Sequence, residues 1–435
     1  MASGLRVGGN LLMVPIILYQ LPSGEVGLWY IFLSLGLVFN QLDLGFGQSV
    51  VRATGYLWGG AKRLQTFGFS SNQKDAPKNV TPNTQELSKL IGTIRSFYLV
   101  LGSISFAIIS VGISFWIWNK AQETSEPQKV LAAWLIYCLS CSLNLAIGFW
   151  GHLLVGINHM KKNEQLFIIS LLANYSVSLS GLLLDFGILA LALGNLAMSM
   201  VYRILAKKYF EQLSNLKSNT KQARFCKATL AILWPNSWRS GVMSLGNYLT
   251  LSASPIVCAS ILTLSETASY GLALQLFRAI NQISAIWTRV KIPLYHQLRV
   301  QNHINEIKRI FYQRVTLNFL TYVSLSTILI IFGPTMIDLI GGETTLPTVF
   351  ILSVIGVSYG LETMKGAVAN MVLTENKNPF WLVWLLSGVA VLVASIFFSG
   401  LYGIVGLPFA MIVVGLVTSY WWSVRELIRS FRGIR

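Results

Sequence analysis

The chain has 435 residues, of which 54% are hydrophobic and only 11% charged, with a mean hydropathy of +0.59. Soluble globular domains carry about 25% charged residues, so this composition excludes them and reads as an all-α polytopic membrane protein. The formal net charge of +17 would suggest nucleic acid for a soluble chain; in a membrane chain the placement of the charges decides instead, and no nucleic-acid partner is expected.

Apolar runs of spanning length occur at Gly4–Leu21, Gly27–Ser49, Phe97–Trp118, Val130–Ile157, Leu166–Leu184 and Gly187–Leu205. After a polar, basic connection they resume at Arg239–Leu262, Ala268–Ile292, Val315–Phe332, Leu346–Leu373, Phe380–Ser399 and Gly403–Val424. The pattern predicts twelve transmembrane helices. The first run lacks a basic leader and a small-residue cleavage site, so it reads as a span and not as a secretory signal. The fifth and sixth runs are separated only by a turn at Asp185. Cys138 and Cys141 have a CxxC spacing, but they lie inside an apolar run and read as small packing residues.

Alternating the connections between two sides places 29 of the 33 basic residues on one side, with only Lys120 and Lys129 on the other. A miscounted helix would invert the alternation downstream, and none does. The positive-inside rule makes the basic side cytoplasmic, with both termini on it. The outer connections are short, the longest being Asn119–Lys129, which leaves no room for an extracytoplasmic catalytic domain. The longer inner connections, Ala53–Ser96 and Ala206–Trp238, are basic and read as solvated surface on anionic headgroups.

The two halves repeat. Pro15–Gln41 (PIILYQLPSGEVGLWYIFLSLGLVFNQ) aligns with Pro255–Gln282 (PIVCASILTLSETASYGLALQLFRAINQ) with one inserted residue. Pro15 then meets Pro255, Glu25 meets Glu266, Trp29 meets Tyr270, and Asn40-Gln41 meets Asn281-Gln282. Two parallel six-helix bundles follow: a lobe over residues 1–210, a basic linker over 211–238 and a lobe over 239–435. Substrate sites in such repeats lie where the two meet. Pro15 and Pro255 are expected to kink helices one and seven.

Four charged residues sit well within the predicted spans: Asp43, Arg278, Glu362 and Lys365. Charges at that depth face a partner or a water-filled cavity. Arg278 falls near the midplane of helix eight with no acid near it in sequence. Asp43 lies in the inner half of helix two, nine residues before Arg52 at its cytoplasmic mouth. Glu362 and Lys365, at i and i+3, share a helix face. One reading is a cationic floor of Arg278, Arg52 and Lys365 for an anionic headgroup, because arginine donates two hydrogen bonds at once to phosphate. The other is that Glu362 and Lys365 satisfy each other and that Asp43 bridges Arg52 or a cytoplasmic lysine. Four histidines, His152, His159, His296 and His303, lack ligand spacing, so no metal site is expected. No GxxxxGK[ST] loop or serine elbow occurs, and no enzymatic activity is expected.

The stretch LPSGEVGLWYIFLSLGLVFNQLDLGFGQSVVR resembles the start of the polysaccharide flippases, the O-antigen or lipid-linked oligosaccharide transporters of the multidrug/oligosaccharidyl-lipid/polysaccharide exporter superfamily. The resemblance is strong over residues 8–65 and rests elsewhere on the twelve helices and two repeats. It implies a MATE-like fold of two bundles in the bacterial inner membrane. It also implies alternating-access flipping of an undecaprenyl-pyrophosphate-linked oligosaccharide, an O-antigen or exopolysaccharide repeat unit. The family's cavity charges would map onto Arg278, Asp43, Arg52 and Lys365. The short N-terminus departs from relatives that carry a longer amphipathic lead. A proton or sodium gradient is the expected drive, with Asp43 or Glu362 as coupling residue and no further cofactor. A polymerase and a chain-length regulator are candidate protein partners that the sequence leaves open. Two rivals remain: a MATE-like drug/cation antiporter, which would want an acidic cavity, and a membrane glycan polymerase, which would want a large outer loop.

Overall fold

The computed structural model describes residues 2–61, 82–216, 225–301, 303–375 and 378–432; the side chains of 2–7, 10, 236 and 300 are outside the description. Every regular element described is a helix. The order is α1 (Ala2–Gln20), α2 (Ser23–Leu42), α3 (Phe46–Trp58), α4 (Thr84–Ala121), α5 (Pro127–Ile147), α6 (Phe149–Gly156), α7 (Met160–Leu183), α8 (Ile188–Ser214) and α9 (Lys227–Leu251). Then come α10 (Ser254–Ile261), α11 (Leu264–Ser284), α12 (Ile286–Arg289), α13 (Ile292–Val300), α14 (Ile304–Asp338), α15 (Val349–Leu373), α16 (Trp381–Tyr402), α17 (Gly406–Val417) and α18 (Ser419–Arg432).

Helices fill most of each of the twelve apolar runs, with breaks inside several, and fewer than twelve pass as spans on length and composition. Among the described residues eight stretches do so, and α9 with α10 makes a ninth if the 42° bend between them is bridged. Of α1, the stretch Leu11–Gln20 counts among the described residues as a shorter apolar helix. α11 carries Glu266, Gln275, Arg278, Asn281 and Gln282 along its length and falls outside the set. The two final runs merge into one apolar stretch, Trp381–Arg432. The Asp185 turn is a true helix break: Asp185 at φ 58° and Gly187 at φ 59° reverse the chain between α7 and α8.

These helices are built for lipid. On α4, Ile104, Ile108, Val111 and Phe115 recur every three or four residues and are 52–77% exposed. In water such a stripe would be an aggregation surface; in a bilayer it meets a solvent of its own kind. Buried serines on the same helix spend their hydroxyls internally, Ser105 on the Leu101 carbonyl at 2.6 Å. The chain is a multi-pass membrane protein.

The chain forms two compact units whose boundaries differ from the expected 1–210, 211–238 and 239–435. The first contains residues 1–6 and 36–241; the second contains 7–35 and 242–435. Most of α1 and two-thirds of α2 therefore cluster with the C-terminal half of the chain. The expected linker is largely helical, since α8 runs to Ser214 and α9 begins at Lys227; its centre, 217–224, lies outside the described residues. So do Lys62, Arg63, Lys74 and Lys78 of the first long inner connection.

In the first unit, α3, α4, α6 and α8 close over a core containing Phe46, Leu57, Leu90, Trp150, Leu153 and Phe210. In the second, Tyr295, Phe311, Met371, Phe380 and Phe431 join α13, α14, α15 and α18. Arg299 staples the ends of three of those helices: Nε donates to Thr374 (2.7 Å), Nη1 to Glu375 (2.9 Å) and Nη2 to Ser430 (2.6 Å).

The sequence repeat is a packing partnership inside the second unit. Tyr30 of α2 and Gly271 of α11 occupy equivalent repeat positions and lie against each other: a Cβ on Gly271 would fall 2.3 Å from the Tyr30 ring. Gly27 presses on the Leu264 backbone just as closely, with a Cβ 2.3 Å from its carbonyl oxygen. Small residues at such crossings let helix backbones approach. The Tyr30 hydroxyl then donates to Gln275 at 2.9 Å, and the Ser34 hydroxyl to the Ser252 carbonyl at 2.6 Å. The copies also break at the same place, α2 at 43–45 and α11 at Ala285. Pro255 differs from its expected role: it sits in the first turn of α10, where a missing N–H leaves no bond unmade, and the bend precedes it at 252–253.

Candidate functional site

Asp43 stands in the gap between α2 and α3. Leu44 (φ 49°) and Gly45 (φ 73°) both take the left-handed conformation, which turns the backbone and starts α3 afresh. The first N–H groups of the new helix lack intrahelical partners and carry the positive end of its dipole. The Asp43 carboxylate answers both needs, with Oδ2 accepting the Gly47 N–H at 3.0 Å. Its other oxygen accepts the hydroxyl of Tyr98 on α4. Arg52 is not its partner: that side chain is exposed and donates to the Ser49 hydroxyl at 3.3 Å.

Asp43 lines a cavity of about 320 Å³ within the first unit. Asn40, near the end of α2, lines it too. Asn144, Gly148 and His152 follow at four-residue spacing along α5 and α6, and Ser199 and Tyr202 come from α8. The Tyr202 hydroxyl donates to Asn163 at 2.7 Å, and Ser199 exchanges a 2.9 Å bond with Ser140. His152 Nδ1 is buried with no hydrogen-bond partner among the described residues. Sequence reasoning found Asp43 here but assigned no site role to Asn40, Tyr98, Asn144 or His152. The 144/148/152 period was the signal, and the breaks that bring α2, α4 and α5 around it are invisible in a continuous apolar run.

Arg278 does for the second unit what Asp43 does for the first, with the sign reversed. Its Nη2 donates to the Leu251 carbonyl at 2.8 Å, the last residue of α9 before the bend, and its Nε to the Tyr359 hydroxyl at 3.3 Å. The Tyr359 hydroxyl lies 3.2 Å from the same carbonyl. A cation on the C-terminal end of an interrupted helix satisfies an orphan carbonyl and opposes the dipole. A guanidinium has five N–H donors, so among the described residues three remain to the half-buried side chain.

Glu362 and Lys365 form the i,i+3 ion pair foreseen, 2.5 Å apart, with side chains only 2% and 4% exposed. The Lys365 ammonium lies 4.8 Å from the Trp384 ring centre and 5.9 Å from that of Tyr420. Lys365 is thus enclosed and spoken for, in contrast to Arg278. Asp43 and Arg52 belong to the first unit, and Arg278, Glu362 and Lys365 to the second. Cys138 and Cys141 are free thiols on α5, the first buried and the second partly so.

No protein-family model matches the sequence, and no curated protein does. Among solved structures, the fold is similar to a multidrug resistance MATE family transporter of the MOP superfamily in its inward-facing conformation. The TM-score is 0.70 at 11% identity, over 97% of this chain and 94% of that one. A MATE in complex with MaL6 gives 0.58 at 12% identity, over 99% and 95%. A MOP superfamily transporter from Pyrococcus furiosus, described as having a binding pocket of reversed polarity, gives 0.52 at 12%, over 99% and 94%. At these identities the likeness is one of fold: the MATE-like, all-helical architecture runs the length of the chain.

Proposed function

We propose that the chain is a flippase that carries an undecaprenyl-pyrophosphate-linked oligosaccharide, an O-antigen or exopolysaccharide repeat unit, across the bacterial inner membrane by alternating access. The observation that carries this reading is Arg278. A helix-end carbonyl and a tyrosine hold it, and among the described residues three N–H donors are left over for an anionic headgroup. Arg52, exposed near the end of the predicted second span, is a second phosphate contact along the route. The resemblance of the stretch ending at Arg52 to polysaccharide flippases supports the same substrate. In this reading α1 and α11 also cross, Trp381–Arg432 crosses twice, and twelve spans leave both termini cytoplasmic, as the basic connections require. The buried Glu362–Lys365 pair holds α15 and contributes no headgroup contact.

Reconstituted vesicles loaded with a fluorescent polyprenyl-pyrophosphate oligosaccharide test the proposal. Wild type should expose the label to an external quencher, Arg278→Lys should do so partly, and Arg278→Ala should fail while still folding. Full activity of Arg278→Ala would remove the headgroup assignment. A drug/cation antiporter is the second reading, favoured by one observation: among the described residues, the first unit's cavity holds the carboxylate of Asp43 and no lysine or arginine. Efflux of cationic dyes by vesicles that do not flip the lipid would establish it instead.

A further inference from the structure

The cavity of the first unit has a lining that the headgroup reading does not use. Among the described residues no lysine or arginine borders it, which argues against a phosphate site. Its carboxylate is already engaged on both oxygens, by Tyr98 and by the Gly47 N–H, and is poorly placed to be the main partner of a cation. Its aromatic rings are also engaged with one another. Phe149 stacks on Tyr98 with centroids 5.9 Å apart and an interplanar angle of 12°, and Phe167 packs edge-on against Tyr202 at 6.4 Å. An aromatic cage for a quaternary ammonium needs open faces.

What is left open is hydrogen-bonding capacity. The side chains of Asn40 and Asn144 are exposed to the cavity and have no partner among the described residues. Each presents a donor pair and an acceptor in one plane. His152 also lines the cavity, with its Nδ1 buried and without a partner among the described residues. A buried polar atom without a partner is rare and calls for one. Two free amides and an imidazole, with the rims of phenyl rings beside them, match a ligand whose edge is a row of hydroxyls and whose faces carry only C–H. At about 320 Å³ the cavity is near the small end of ligand pockets, which run from about 300 to 1,000 Å³, and takes one ring.

We propose that this cavity is a saccharide subsite that binds a single neutral pyranose ring through Asn40, Asn144 and His152. It rests on the flippase reading for its biological meaning: the ring bound here would be one sugar of the carried glycan.

Saturation-transfer NMR on the purified full-length chain in detergent tests it, with methyl N-acetylglucosaminide and methyl galactoside as probes and tetraphenylphosphonium as the cationic comparator. Wild type should transfer magnetisation to the ring protons of at least one glycoside. Asn144→Ala should weaken that binding about fivefold, the loss of one hydrogen bond. Asn40→Ala, on a separate helix, should do the same, so that a folding defect in either variant leaves the other to report. Failure of both glycosides to show transfer beyond that in Asn144→Ala overturns the subsite. So does tetraphenylphosphonium binding that Asp43→Asn abolishes. The vesicle assay separates the two claims. Flipping lost in Arg278→Ala but unchanged in Asn40→Ala and Asn144→Ala removes the subsite and leaves the flippase. Glycoside binding with flipping intact in Arg278→Ala removes the headgroup assignment and leaves the subsite.

Discussion

Asp43 and Glu362 are both carboxylates inside apolar runs of the sequence, and they solve that problem differently. Asp43 spends its charge on a helix N-terminus and a tyrosine, Glu362 on a lysine one turn away. Tyr98→Phe removes one hydrogen bond to a charged group, a loss of about 1.5–3 kcal/mol, and should lower the thermal midpoint of the purified protein without unfolding it. Lys365→Met should be worse, because a buried carboxylate left alone is destabilised by about 3–5 kcal/mol. The double variant Glu362→Gln/Lys365→Met should recover most of that loss, since an ion pair replaced whole is often neutral. Midpoints in detergent measure both, and a double variant as unstable as the single one would show that the pair does more than neutralise itself. The spacing of Glu362 and Lys365 made their pairing legible in the sequence. The partners of Asp43 and Arg278 were not, because they are a backbone N–H and a backbone carbonyl at helix breaks, and a break inside an apolar run leaves no mark in composition.

Helix crossings decide which glycines matter. Gly27 meets the Leu264 backbone, which cannot yield as a side chain would, so Gly27→Ala must part α2 from α11. Overpacking of this kind is destabilising by about 1–3 kcal/mol, and Gly27→Ala should sit at the upper end. Gly112, on the lipid-facing part of α4, would have nothing within 4 Å of an added methyl, and Gly112→Ala should stabilise by up to about 1 kcal/mol through helix propensity alone. The two substitutions are chemically identical, so opposite shifts in midpoint would isolate the crossing. The repeat alignment had already set Gly271 opposite Tyr30 in register. It could not say that the two copies touch, because homologous positions in a repeat need not be neighbours. Helix count was the weaker inference: α11 is too polar for a hydropathy test to pass, and that polarity includes Arg278 and the Gln275 that binds Tyr30.

At the scale of the whole chain, the order of residues and the grouping of contacts disagree. Residues 7–35 are compact with 242–435, so a C-terminal lobe cut at residue 239 lacks Gly27, Tyr30 and Ser34 and the bonds they make. It also lacks Ser23, whose N–H reaches Glu343 at 3.0 Å. A fragment of residues 239–435 expressed alone should be cleaved readily by trypsin in detergent. Co-expression with residues 1–42 should protect it. Equal resistance with and without the N-terminal piece would show that the second half is self-sufficient. Composition and charge alternation were enough for the all-helical membrane class. The cross-chain grouping needed coordinates, since hydropathy reports where a helix lies along the chain and nothing about which helices it meets.

The Glu362–Lys365 pair has a consequence for how the protein is made. α15 is a candidate span that carries two full charges, and each alone would oppose entry into the bilayer by about 2.5–3.5 kcal/mol. Partners one turn apart find each other as soon as that turn of helix forms, before any other helix is at hand. The segment therefore reaches the lipid as a neutral rod. Exchanging Met364 and Lys365 keeps the composition and destroys the spacing; the fraction of α15 inserted by microsomes or inverted membrane vesicles should fall, even though the rest of the fold has not yet been built.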